Sequence, residues 1–218
     1  MCARYSITVP AETFGKRFNV RVPENTYKIR YNAGPGQSMP VISSHKPEQI
    51  SFFQWGLIPH WAKDETIGSK LFNARAETLD EKPSFGESFK RKRCLVPADG
   101  FYEWDKDHNP YRFVLKDNEL FALAGIYDVW ESGDKIINSF SIITTEANRI
   151  VGKIHERMPV ILNPKDEKAW LDLDLNLEAA KSMLKSFPDR SVKSFAVERL
   201  VNNVKNDIPE VVLPKKNL

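Results

Sequence analysis

Cys94-Leu95-Val96-Pro97-Ala98-Asp99-Gly100-Phe101-Tyr102-Glu103-Trp104-Asp105-Lys106-Asp107-His108-Asn109-Pro110-Tyr111-Arg112-Phe113-Val114-Leu115 decides the fold class. Within it, Cys94 to Pro97 reads as a short strand. Gly100 to Trp104 reads as a second strand, and Tyr111 to Leu115 as a third, entered through the turn residues Asp107 to Pro110. Such short spacing between strands, broken by turns, favours antiparallel sheet over βαβ units.

The same rhythm continues outward. Leu120 to Ala124 and Ile136 to Thr144 are further strands, separated by turn chemistry at Asp117-Asn118 and Ser132-Gly133-Asp134. Upstream, Arg4 to Val9 alternates, with Tyr5, Ile7 and Val9 on one side. Met39 to Ile42 and Ile50 to Trp55 are also strands, whereas Tyr31 to Gly36 reads as a turn. Phe72 to Thr78 alternates small and polar residues. Met158 to Leu162 and Lys193 to Val197 complete the β set. Short helices are expected at Ala11 to Phe18, Glu81 to Phe89 and Ala147 to Ile154. Two more are expected from Pro164 through Leu173, with Asn163 as N-cap, and from Leu177 to Phe187. The expectation is an α+β, β-rich chain. Its mostly antiparallel strands form a barrel-like core with peripheral short helices, in one domain over residues 1–218.

Composition narrows the function classes. Hydrophobic residues make up 41% of the chain, with thirteen Phe, six Tyr and five Trp, enough for a packed core. A net charge of +3 permits an anionic partner without demanding one. The two cysteines, Cys2 and Cys94, form no disulfide framework, and no Cys/His cluster suggests a metal, so no metal or cofactor is expected. The polar start carries no secretory pattern, and no apolar run approaches a membrane span. A reduced, cytoplasmic and nucleoid-associated setting is therefore expected.

Cys2 follows the initiator Met1, which cells remove when the second residue is small. Removal leaves a thiol of pKa about 8.5 beside an amine of about 7.7–8.0. Such a 1,2-aminothiol captures aldehydes: the amine forms a Schiff base and the thiolate closes a thiazolidine. Cys2 taken alone is also an ordinary second residue. Glu103 lies among Phe101, Tyr102 and Trp104. It is either a carboxyl raised by apolar walls toward acid/base work or an exposed acid on a polar strand face. Asn73 and Arg75 share one side of an extended segment, as an anion grip or as solvated residues. His155 is a proton carrier or a packed histidine, and Trp61 a base-stacking ring or core. The run Lys90 to Arg93 is a solvated face or a phosphate contact.

Together the segments resemble the SRAP family, the SOS response-associated peptidase or abasic-site processing proteins. The motifs are Met1-Cys2-x-Arg4-Tyr5, Tyr31-Asn32-x-x-Pro35-Gly36, Trp55-Gly56-Leu57-Ile58-Pro59, Asn73-Ala74-Arg75-x-Glu77-Thr78, Gly100 to Trp104, Thr144, His155-x-Arg157-Met158-Pro159 and Asn203-Val204-Lys205-Asn206. Their shared order spans nearly the whole chain.

The resemblance implies a groove for single-stranded DNA with Cys2 at its floor and an abasic aldehyde as the electrophile. Cys2 would be the nucleophile and Asn73 would position the N-terminus and sugar. Glu103 would move protons, and His155 would hold a phosphate or shuttle a proton. Arg4 and Arg75 would grip phosphates and Trp61 would wedge the base stack. Asn32, Pro35 and Thr144 would also touch DNA. The partner is abasic single-stranded DNA and the protein a monomer. Lyase activity, through β-elimination from the Schiff base, and a cysteine autopeptidase built on Cys2, His155 and Asn73 are the further activities implied. The family usually has Gly after the Cys. Ala3 adds a Cβ there, expected to tune the rate.

Overall fold

The computed structural model describes residues 2–216, so Met1, whose removal the aminothiol chemistry requires, lies outside the described residues. Twelve strands are arranged in two sheets: β1 (Tyr5–Ile7), β2 (Arg30–Ala33), β3 (Ser38–Ser43), β4 (Lys46–Trp55), β5 (Asn73–Arg75), β6 (Arg93–Ala98), β7 (Gly100–Trp104), β8 (Pro110–Leu115), β9 (Phe121–Ser132), β10 (Lys135–Glu146), β11 (Arg157–Pro159) and β12 (Val192–Ala196). Four short helices lie around them: α1 (Ala11–Phe18), α2 (Gly86–Arg91), α3 (Pro164–Leu171) and α4 (Leu177–Ser182). No helix among the described residues is long and apolar enough to cross a membrane.

One sheet closes on itself. β3 pairs with β4, β4 with β10, β10 with β9, β9 with β6, and β6 returns to β3. The expected β-rich α+β barrel is therefore present, with five strands. Pairing is antiparallel except where β10 meets β4 and β5, which it joins in parallel. β10 is the hub. It pairs with β4 at Ser139 and Phe140, then with β5 from Ile142 to Thr144, while β11 joins it from Thr144 to Glu146. The second sheet runs β12-β8-β7-β1-β2, antiparallel throughout.

One hydrophobic cluster joins the two sheets. Trp55 is fully buried, lies edge-on to Tyr5 at 5.1 Å between centroids, and stacks on Phe140 at 6.2 Å. Its indole N–H donates to Phe72 O at 2.8 Å, which fixes the residue before Asn73. Gly56 follows Trp55 at φ +131°, where a Cβ would stand 2.5 Å from Gly68 O, so only glycine turns the chain here.

Several expectations need correction. Tyr31 to Ala33 forms part of a strand, β2, not a turn. Ala147 to Ile154 is no α-helix, having only a 3-10 turn at Val151–Lys153. The Asn148 side chain accepts the N–H groups of Ile150 and Val151 and donates to Phe187 O, which replaces helical bonding with a local cap. The second helix is confined to Gly86–Arg91. The cationic run Lys90 to Arg93 is not one solvated face. Arg93 is fully buried, its guanidinium donating to Phe89 O, Trp170 O and Asp172 O, while Lys92 pairs with Asp128.

Candidate functional site

The approach to β1 carries Cys2, which is fully buried. Its thiol lies 3.6 Å from Arg4 O. Asn73, the first residue of β5, donates from Nδ2 to Cys2 O at 2.8 Å. Its other polar atom, Oδ1, is buried without a hydrogen-bond partner among the described residues. An acceptor in that state is costly unless a ligand or a donor group completes it.

Glu103 arrives from the neighbouring strand. Tyr5 pairs with Phe101, and Tyr102 N donates to Arg4 O at 3.0 Å. Continuing that antiparallel register brings Glu103 alongside Ala3. Glu103 is 2% exposed, and burial raises its carboxyl from 4.5 to about 7. The acid is therefore inside, not on a polar strand face. Burial first, and the Glu103 charge second, push the Cys2 thiol far up.

His155 stands just before β11, half-buried, with its pKa lowered mainly by burial. Its Nδ1 accepts the Arg157 backbone N–H at 3.0 Å, so the proton of the neutral ring is assigned to Nε2. Arg157 makes a bidentate pair with Glu77, at 2.7 and 2.9 Å, and also donates to Thr144 O at 2.7 Å. That pair ties the β11 entry, with His155, to the segment after β5, with Asn73 and Arg75. Glu77 and Arg157 both stand in motifs quoted above, but nothing in the sequence announces that they meet.

The expected DNA contacts fall into two sets. Arg75 and Trp61 are exposed, Trp61 at 51%, and Pro35 is half-buried in the turn after β2. Thr144 is fully buried; its hydroxyl lies against Ala74 O and beneath Arg157. Arg4 and Asn32 also hold the chain together. Arg4 donates to Asn32 Oδ1 at 2.9 Å, Val201 O at 2.7 Å and Asn202 O at 3.3 Å. The buried Asn32 amide donates to the carbonyls of Val201, Asn203 and Asn206, while Asp207 accepts the Tyr31 and Asn32 N–H groups. The Asn-Val-Lys-Asn motif is thus clamped onto β2 and onto the stretch that carries Cys2. Asn32→Ala removes the donor to the Val201, Asn203 and Asn206 carbonyls and one acceptor of the Arg4 guanidinium. It is expected to cost about 2 kcal/mol of folding stability, read by thermal or denaturant unfolding. An unchanged midpoint would show that the loop does not depend on this amide.

The model of the SOS response associated peptidase (SRAP) family matches residues 1–204. The chain belongs to the SRAP family. Among its relatives, a Bacillus subtilis protein named abasic site processing protein YoqW is 39% identical, with 97% of this chain and 99% of that one aligned. The Gallus gallus protein named abasic site processing protein HMCES is 32% identical, over 88% of this chain and 68% of that one. An X-ray crystal structure of a Bacteroides thetaiotaomicron protein superposes at a TM-score of 0.91 with 30% identity, covering 99% of this chain and all of that one. In this SRAP chain, then, Cys2, Asn73 and Glu103 converge, and His155 is tied to β5, which carries Asn73, through β10. No group of three or more metal-ligating side chains is found among the described residues.

Proposed function

We propose that this SRAP-family protein processes abasic sites in single-stranded DNA by covalent capture through Cys2, once Met1 has been removed. The observation that carries this reading is the buried convergence of Cys2, Asn73 and a Glu103 whose pKa is raised to about 7. The abasic site processing names borne by the relatives agree with it.

The chemistry follows from those groups. The closed abasic sugar opens when the C1′–O4′ bond breaks, a proton reaching O4′ and the 1′ hydroxyl becoming an aldehyde. Protonated Glu103 donates the proton to O4′ and takes back the one that the 1′ hydroxyl releases, so the carboxyl is protonated again. The Cys2 amine adds to C1′, the carbinolamine loses water with a second proton from the same carboxyl, and a Schiff base remains. The thiol then adds to C1′ and gives up its proton, closing the thiazolidine; one water is released overall. The order follows from the electrostatics: burial keeps the thiol neutral, so the amine attacks first. The same burial works against a cysteine peptidase, which requires a lowered thiol pKa. Asn73 Oδ1, short of a donor, is suited to hold the amine or a sugar hydroxyl, and His155 Nε2–H to meet the adjoining phosphate.

Exposed Arg75 is proposed to neutralise a phosphate. Arg75→Ala is expected to weaken binding and to flatten log K against log salt by roughly 0.7, one counterion's worth on a single strand. An unchanged slope would remove Arg75 from the DNA path. The reading as a whole is tested by intact mass spectrometry before and after incubation with an abasic oligonucleotide. The expected result is a protein lacking Met1 that gains the oligonucleotide mass less one water. A processed protein that gains no mass would overturn it.

A further inference from the structure

A second concave site lies away from Cys2, where the barrel opens. β4 is bonded to β10 only through Gln54 and Trp55, and β9 is bonded to β6 only up to Ile126. Beyond those points β9 and β10 leave the barrel as a hairpin, paired with each other as far as Ser132 and Lys135, with Tyr127 N donating to Lys92 O at 2.8 Å at its base. The first half of β4, the departing hairpin and the end of α2 therefore enclose a cleft of about 700 Å³. That is the size of a small-molecule site.

Its walls are of two kinds. Phe53 and Tyr127 pack at 5.2 Å between ring centroids, and Phe52 beside them is 36% exposed. Lys46, Arg91 and Lys92 form the cationic side, and no Asp or Glu lines the cleft among the described residues. The whole chain has 32 basic and 29 acidic side chains, so an acid-free lining with three cations is not its average surface. Lys92 shares its charge with Asp128 at 2.5 Å, and Arg91 reaches Glu87 only at 3.8 Å. Lys46 has no ion pair among the described residues. Two cations thus keep most of their charge for a ligand.

We propose that this cleft binds a nucleoside phosphate, its base against the exposed Phe52 ring and its phosphate between Lys46 and Arg91. Aromatic faces accept any base, and cations beside them hold the backbone anion; together they distinguish a nucleotide from a bare anion or an apolar ligand. The nucleotide is either free or one unit of a DNA strand. The site uses none of the residues proposed for covalent capture, so it stands or falls separately.

The test titrates wild-type protein, Lys46→Ala/Arg91→Ala and Phe52→Ala with thymidine monophosphate, inorganic phosphate and unmodified oligothymidylates of increasing length. Circular dichroism checks that the variants fold, as expected for exposed side chains. The proposal expects nucleotide binding at least tenfold tighter than phosphate, weakened at least tenfold in the double variant and clearly in Phe52→Ala. If the site serves a DNA strand, the longer oligomers also lose affinity in the double variant, with a salt slope smaller by roughly 1.4 for two cations. If it serves free nucleotide, oligomer affinity stays unchanged while the nucleotide response is lost. Nucleotide and oligomer affinities both indifferent to the double variant, or phosphate binding as well as the nucleotide, would overturn the proposal.

Discussion

Cys2→Ala will form no heat-stable adduct with abasic single-stranded DNA and will keep most of its noncovalent affinity. Thiazolidine closure requires the thiol, whereas affinity for a single strand comes mainly from cations on phosphates and rings on bases. The variant still presents an α-amine after Met1 removal, so a Schiff base remains within reach. Reduction with borohydride should trap that species and show that amine and thiol act in sequence. Denaturing gels with and without reductant make the measurement. An unreduced adduct from Cys2→Ala that survives heating would sink the mechanism. The opposite substitution separates the peptidase reading: Cys2→Ser keeps an N-terminal nucleophile but should give no stable adduct, since an oxazolidine hydrolyses readily.

Glu103→Gln is expected to slow crosslinking by about 10²–10⁴-fold while leaving DNA affinity near wild type. Reversal of a preformed adduct should slow equally, because one proton carrier serves both directions. The pH profile tells a catalytic carboxyl from a merely structural one. Productive protein holds Glu103 protonated, below about 7, and the amine neutral, above an ordinary pKa of about 7.7–8.0. The wild-type rate should therefore peak between those values. The variant should lose the alkaline limb and rise to a plateau set by the amine alone. Stability supplies an independent readout. The carboxyl titrates near 4.5 when exposed and near 7 when folded, so folding favours its protonated form. That stabilising preference is complete below about 4.5 and is lost as pH rises through 7, roughly 3 kcal/mol in all. Glu103→Gln, which cannot ionise, should be the more stable protein at pH 8 and should gain little at pH 4. Wild-type rates in both directions, with no change in the profile, would reduce Glu103 to packing.

Much of this was legible in the chain. The period-two runs of β7 and β8, broken by Asn109-Pro110, announce an antiparallel pair, and the helix at Ala11 to Phe18 needs only Pro10 and its amphipathic spacing. Glu103 among aromatics was ambiguous by itself, because alternation says that a residue alternates but not which face is covered. The second sheet and the N-terminal stretch resolve it. β2 was hidden because Asn32-Ala33-Gly34-Pro35-Gly36 has the composition of a turn. The strand there is held by Tyr5 and by Asp207, which lie far off in sequence. The expected helix after Ala147 failed because Asn148 caps its own successors. That the Arg4 guanidinium also holds Val201, Asn202 and Asn32 was not legible; local sequence carries no trace of carbonyls 197 residues away. The Glu77–Arg157 pair is invisible for the same reason. Short-range chemistry is read directly, and long-range pairing of polar groups is not.

The clamp between Arg4, Asn32 and the loop from Val201 to Asp207 also sets a clock. During synthesis the Cys2 end leaves the ribosome well before the segment that fastens it has been made. At roughly 5–20 residues per second, residue 201 follows residue 4 by about 10–40 s. Throughout that interval Asn32 lacks its carbonyl partners and the stretch bearing Cys2 lacks its anchor, so the pocket around the thiol is unfinished. A nascent chain thus carries Cys2 before it owns the enclosure that buries it. Burial of that thiol is complete only when the last polar contacts close.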